Sequence, residues 1–145
     1  MKLAAALLAA AVLTAPALAQ TGPIEARKAA MKTVGANAKK AGDMLKGAEP
    51  FEPAKAEAVF KAMNEVASRY AGLFPAGSQT GGNTEAAPAI WSKPAEFKAA
   101  VAKFEQDTAM ALAAKPATVA DFGKQFGMVA ANCKSCHEAF RIAKN

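Results

Sequence analysis

The chain has two cysteines and one histidine, and all three fall within five positions, Cys133-Lys134-Ser135-Cys136-His137. Cys-x-x-Cys-His is the attachment spacing of c-type haem. Two thiols add across the two vinyl groups on one edge of the porphyrin, and the adjacent imidazole reaches the iron as an axial ligand. On a helix, with about 1.5 Å rise and roughly 100° turn per residue, Cys133 and Cys136 stack on one face. His137, four residues after Cys133, joins them there. The residues therefore predict one covalently bound haem c, held by Cys133 and Cys136, with His137 on the iron. Two other chemistries fit less well. A thioredoxin-type thiol pair sits near a βαβ pattern, and no segment here alternates like a strand. A zinc site would lack a fourth ligand of the usual type unless a carboxylate such as Glu138 served.

With no second histidine, the other side of the iron faces Met, Lys or an open position. Beyond the N-terminal stretch the methionines are Met31, Met44, Met63, Met110 and Met128. A methionine is by default flexible core filler. Met31 stands apart because Gly35 follows one turn later on the same helical face, where a missing side chain would let a flat macrocycle approach the backbone. Arg27 lies one turn earlier on that face, where a guanidinium could pair with a haem propionate or remain an ordinary solvated charge. Met128 shares a helix with His137 and is badly placed to reach the opposite side of the ring. Spacing alone does not separate Met31 from Met44, Met63 and Met110.

Four helical segments are expected to position these groups. The first covers about residues 23–46, with Ile24, Arg27, Met31, Val34, Ala38, Ala41 and Leu45 three and four apart, and Gly47 and Pro50 ending it. The second starts near Pro53 and places Ala56, Val59, Phe60, Met63, Val66, Ala67 and Tyr70 on one face. A connection over residues 74–91, rich in Gly, Pro, Thr and Asn, exceeds a normal helix hairpin in length. The third helix is expected to begin at Ser92 as N-cap, with Phe97, Val101, Phe104, Thr108 and Leu112 on its buried side. Thr118 followed by Asp121 resembles a capping box for the last helix. Its seam is Val119, Phe122, Phe126, Val129, Cys133, His137 and Phe140. The pattern predicts an all-α, antiparallel four-helix bundle with the cofactor between helices.

Residues 1–19 combine a basic start, a short apolar stretch and Ala17-Leu18-Ala19 before Gln20, which reads as a cleaved signal peptide rather than an anchor. The mature bundle would be residues 20–145, one ordinary domain. No later apolar run is long enough to span a bilayer, so no membrane insertion is expected. Export suits c-type haem, which is attached outside the cytoplasm, and in a bacterium the destination is the periplasm. The chain has 18 Lys and Arg against 12 Asp and Glu; loss of Lys2 leaves 17 against 12, a net charge of +5. Two propionates would bring this nearer neutral, so the surface is read as solvated and suited to an acidic redox partner. Nucleic acid is disfavoured, since the lysines are spread around helices without interleaved aromatics.

Taken together, the chain resembles the class II c-type cytochromes, the cytochrome c-prime and cytochrome c-556 group. The residues that carry the resemblance are Arg27-Lys28-x-x-Met31, the Gly-rich connection ending in Pro88-x-Ile90-Trp91, Phe97, and Cys133 to His137 followed by Phe140-Arg141 near the C-terminus. The resemblance implies a left-handed four-helix bundle with haem c. Typical cytochromes c-prime leave the distal iron position open and bind nitric oxide or carbon monoxide. The c-556 type is low-spin, with a first-helix methionine on the iron, and residues 27–47, Phe74-Pro75 and Thr80-Gly81-Gly82 are closer to it. Carried over, the second axial ligand is Met31. The function implied is one-electron transfer with unidentified redox partner proteins, without enzymatic activity. The alternative is a five-coordinate gas-binding protein. Homodimers that use the first two helices are common in related bundles, and the apolar residues available there leave monomer and dimer both open.

Overall fold

The computed structural model describes residues 18–142. The expected leader, residues 1–19, falls almost wholly outside them. Five helices follow in order: α1 (Leu18–Leu45), α2 (Pro53–Tyr70), α3 (Ala89–Ser92), α4 (Pro94–Ala113) and α5 (Val119–Phe140), with a 3-10 turn at Ala71–Leu73 after α2. Among the described residues there is no strand, only an isolated antiparallel bridge between Ala86 and Arg141. Each long helix packs against the next, and α5 closes back on α1, giving the four-helix bundle that the apolar spacing predicts.

Local chemistry explains most helix ends. Gly47 takes φ of +72°, a left-handed conformation open to glycine, and its N–H donates to the Met44 carbonyl at 3.3 Å. Pro53 opens α2 at a position where its missing N–H costs no helical bond. At the start of α5 the Asp121 N–H donates to Thr118 Oγ1 at 3.1 Å. The reciprocal half of the box differs from expectation, because Asp121 accepts from the Thr118 hydroxyl at 2.7 Å rather than from its backbone. Two boundaries are corrected. Helix α1 begins before Pro23, which lies inside it. Ser92 ends the single turn α3 instead of capping the next helix, and the chain breaks at Lys93 (φ −130°, ψ 56°) before Pro94. The cause is steric, since the proline ring pushes the preceding residue out of the helical region.

The main core joins all four long helices around Phe60, Met63, Val66, Met44, Phe122 and Val129. Each such side chain stabilises the fold by roughly 1.5–3 kcal/mol on burial. A second cluster of Ile90, Phe97, Val101 and Phe140, with Phe74 and Cys136 against it, lies towards the C-terminus of α5. The predicted face of α2 is buried from Ala56 to Ala67. On α5 the outcome is mixed: Phe122, Val129 and Phe140 are buried, whereas Val119, in the first turn, is exposed.

Candidate functional site

A cleft of about 600 Å³ opens between α1, α4, α5 and the connection that precedes α3. Its size and mainly apolar lining, with a few converging polar groups, are those of a small-molecule site. Helix α5 contributes Cys133, Cys136 and His137, the three residues singled out by spacing, together with Asn132 and Phe140. Helix α4 contributes Phe97, Val101 and Phe104. Both cysteines are half-buried and form no disulfide with each other. Burial pushes both thiols above their usual range, and for Cys136 its neighbour Cys133 adds to the effect. His137 moves the other way: burial and then Arg141 lower its basicity, against a smaller opposing pull from Glu85. A neutral imidazole keeps the lone pair that a metal ligand needs.

The α1 wall carries Arg27, Met31, Val34, Gly35 and Ala38. Met31 is half-buried there. The other described methionines lie elsewhere: Met44 and Met63 fill the main core at 2% and 1% exposure, and Met110 and Met128 are exposed at the surface. Tertiary structure thus separates Met31 from candidates that spacing left equal. A Cβ placed on Gly35 would meet nothing packed against that part of α1 within 4 Å. This glycine therefore leaves open space on the cleft wall rather than relieving a contact within the bundle.

Arg27 is buried at 3% exposure, so it is not a solvated charge. Its Nη1 donates to Ser78 Oγ at 3.0 Å, and its Nη2 donates to the Ser78 carbonyl at 2.7 Å and to Thr84 Oγ1 at 2.6 Å. The guanidinium also lies 4.9 Å from the centroid of Phe74 and 5.7 Å from that of Trp91. Burial lowers its pKa from the ordinary value. These three bonds leave Nε–H and one Nη1–H as donors for an anion in the cleft. Tyr70, also on the lining, has its phenol pushed up to about 12, chiefly by burial.

Sequence reading missed the polar groups that hold these walls. Ser78 and Thr84 sit in a connection whose composition announced only turns, yet they tie it to α1. Asp107, 5% exposed, accepts from Asn132 Nδ2 at 2.7 Å and from Lys103 Nζ at 2.7 Å, joining α4 to α5 one residue before Cys133. The only signal was an Asp and an Asn at buried-face spacing, which charge alone would assign to solvent. Among the described residues no cluster of three or more His, Cys, Asp or Glu side chains could hold a metal ion by itself. The residues present do fit a haem: paired thiols, one neutral imidazole, a thioether, a glycine-opened wall and a buried cation, all on one apolar cleft.

Residues 22–141 match the family model described as Cytochrome C'. The chain is 39% identical over 132 residues to a cytochrome c' of Rhodopseudomonas palustris, covering 89% of this chain and 88% of that protein. It is 33% identical over 132 residues to a cytochrome c-556 of Agrobacterium fabrum, covering 91% and 89%. A solved structure of cytochrome c' from Rhodopseudomonas palustris superposes with a TM-score of 0.82 at 36% identity, over 87% of this chain and all of that one.

Proposed function

Since this chain belongs to the cytochrome c' family and carries covalently attached haem c, we propose that it is a one-electron carrier with low-spin, His/Met-ligated iron. In this reading Cys133 and Cys136 would form the thioether links, and His137 and Met31 would hold the iron. The observation that carries it is that Met31 is the only described methionine on the lining of the cleft that holds His137. When bound, the haem supplies a reversible one-electron couple, and a methionine ligand raises its potential relative to bis-histidine ligation. The chain supplies position and electrostatics. The aromatic and aliphatic residues of α4 exclude water, and Gly35 makes room beside Met31. The donors left on Arg27 would hold a propionate.

The N-terminal 19 residues act as a cleaved leader in this proposal, delivering the bundle to the periplasm. Among the described residues no helix is long and apolar enough to cross a membrane. Redox partner proteins, rather than a chemical substrate, would then meet the cleft mouth.

The test is an absorption spectrum of the exported holoprotein beside its Met31→Ala variant. A low-spin, six-coordinate spectrum that becomes high-spin on substitution is expected; an unchanged spectrum removes Met31 from the iron. The second reading is a five-coordinate protein that binds nitric oxide or carbon monoxide. The observation behind it is that the chain is 39% identical to a cytochrome c' and 33% identical to a cytochrome c-556. It requires a high-spin spectrum at neutral pH and carbon monoxide uptake without loss of a protein ligand.

A further inference from the structure

Tyr70, the single tyrosine of the chain, ends α2 and lines the cleft. Its ring meets Phe74 edge-on, with centroids 5.2 Å apart and an interplanar angle of 74°, and it packs against both core clusters. The ring is thus fixed from several sides, yet its hydroxyl makes no hydrogen bond to a described residue. No buried polar side-chain atom among the described residues lacks a partner, so this unbonded hydroxyl is not sealed in the core. It reaches open space, and the cleft is the space that Tyr70 lines. Burial pushes the phenol up to about 12, so it keeps its proton and acts as a donor; Cys136 and Arg27 also act on it, which places both nearby. Arg27 has the matching deficit. It is buried, its three hydrogen bonds all go to neutral oxygens of Ser78 and Thr84, and no carboxylate among the described residues pairs with it. A buried cation without a counter-ion is costly, so the arrangement suits an anion that the chain does not itself supply.

We propose that the Tyr70 hydroxyl is a second donor to the haem propionate at Arg27, so that a phenol and a guanidinium converge on one carboxylate. The proposal rests on the reading of the cleft as the haem site with a propionate at Arg27. A porphyrin in the cleft would expel water from Tyr70, and a phenol left there without an acceptor would bear a desolvation cost. Two acceptors on the lining are already engaged. Thr84 Oγ1 accepts from Arg27 and from the Ala86 N–H, and the Glu85 carboxylate accepts from Arg141. A carboxylate accepts from several donors at once, and its bonds are roughly twice as strong as neutral ones. A phenol that keeps its proton serves as a donor rather than as an iron ligand, which leaves the metal to other side chains.

The experiment is resonance Raman spectroscopy of the ferric holoprotein, wild type beside Tyr70→Phe, read in the propionate bending bands. The substitution keeps the ring on Phe74 and removes only an unbonded hydroxyl, so the packing of the chain is spared. One of the two bands is expected to fall in frequency in Tyr70→Phe and to lose part of its shift between light and heavy water, while the other stays. Two bands that both keep their wild-type positions overturn the proposal. So does a movement confined to the iron–ligand bands, which would put the hydroxyl at the metal. The chain has one tyrosine, so biosynthetic replacement by a ring-fluorinated tyrosine alters this residue alone. Its phenol is a stronger donor and should move the same band upwards; if Tyr70→Phe does not assemble, an unmoved band in the fluorinated protein overturns the proposal equally. Failure of the underlying reading shows separately. A Cys133→Ala, Cys136→Ala protein whose intact mass still included haem would place the cofactor outside the cleft, whatever Tyr70 does.

Discussion

The buried carboxylate of Asp107 offers a quantitative check on how α5 is held. Replacing it with alanine removes the acceptor of the 2.7 Å bond from Asn132 and the partner of Lys103. A buried bond to a charged group contributes about 1.5–3 kcal/mol. The Lys103 side chain is 65% exposed, so an i,i+4 pair there adds only about 0.3–0.5 kcal/mol. Two effects work against these terms. Asn132 Nδ2 retains the Met128 and Val129 carbonyls at 3.2 Å, so it is not orphaned, and the cost of desolvating a carboxylate disappears. The expected loss for Asp107→Ala is therefore about 2 kcal/mol near neutral pH, with about 1 kcal/mol for Asp107→Asn, whose amide oxygen can still accept from Asn132. Burial alone would raise this carboxyl, but the bonds from Lys103 and Asn132 outweigh it and hold the pKa below the ordinary value of 3.8. A depressed carboxylate stabilises the fold above its unfolded pKa, and that contribution is lost as pH falls through the folded value. The gap between wild type and Asp107→Ala should be full at pH 7 and close at pH values below that ordinary one. Urea unfolding of the holoprotein, followed by far-ultraviolet circular dichroism across that range, measures it. A variant within about 0.5 kcal/mol of wild type at pH 7, or a gap that persists undiminished in acid, would refute the reasoning.

Other substitutions probe the elements that frame the cleft. Thr118→Ala removes the acceptor for the Asp121 N–H and should cost about 1 kcal/mol in the same unfolding assay, whereas Thr118→Ser should recover most of it. Gly82 adopts φ of +52°, and a Cβ there would lie 2.9 Å from Cγ2 of the buried Ile24. Gly82→Ala should therefore destabilise by roughly 1–3 kcal/mol and lower the thermal midpoint; an unchanged midpoint would mean that Ile24 moves freely.

The motif and the apolar periods on α2 were legible because both depend on local geometry. Cys133, Cys136 and His137 need only the rise and turn of one helix to share a face, and Ala56 to Ala67 need only a 3.6-residue repeat. The break at Lys93 was also local, and attention to the proline after it would have moved the boundary from Ser92. Arg27 is different. Its partners Ser78 and Thr84 are 51 and 57 residues away, and no local rule separates a buried guanidinium from a solvated one.

The sequence by itself determined the cofactor, the helical class and a shortlist for the far side of the iron, since residue types and spacings suffice for each. Only the tertiary structure put Met44 and Met63 in the core, Met110 and Met128 on the surface and Met31 on the cleft. Only it joined Asp107 to Asn132 and Glu85 to Arg141. Those assignments depend on how helices rotate against one another and where a long connection is pinned. They follow from packing the whole chain at once, and a short stretch read alone does not contain them.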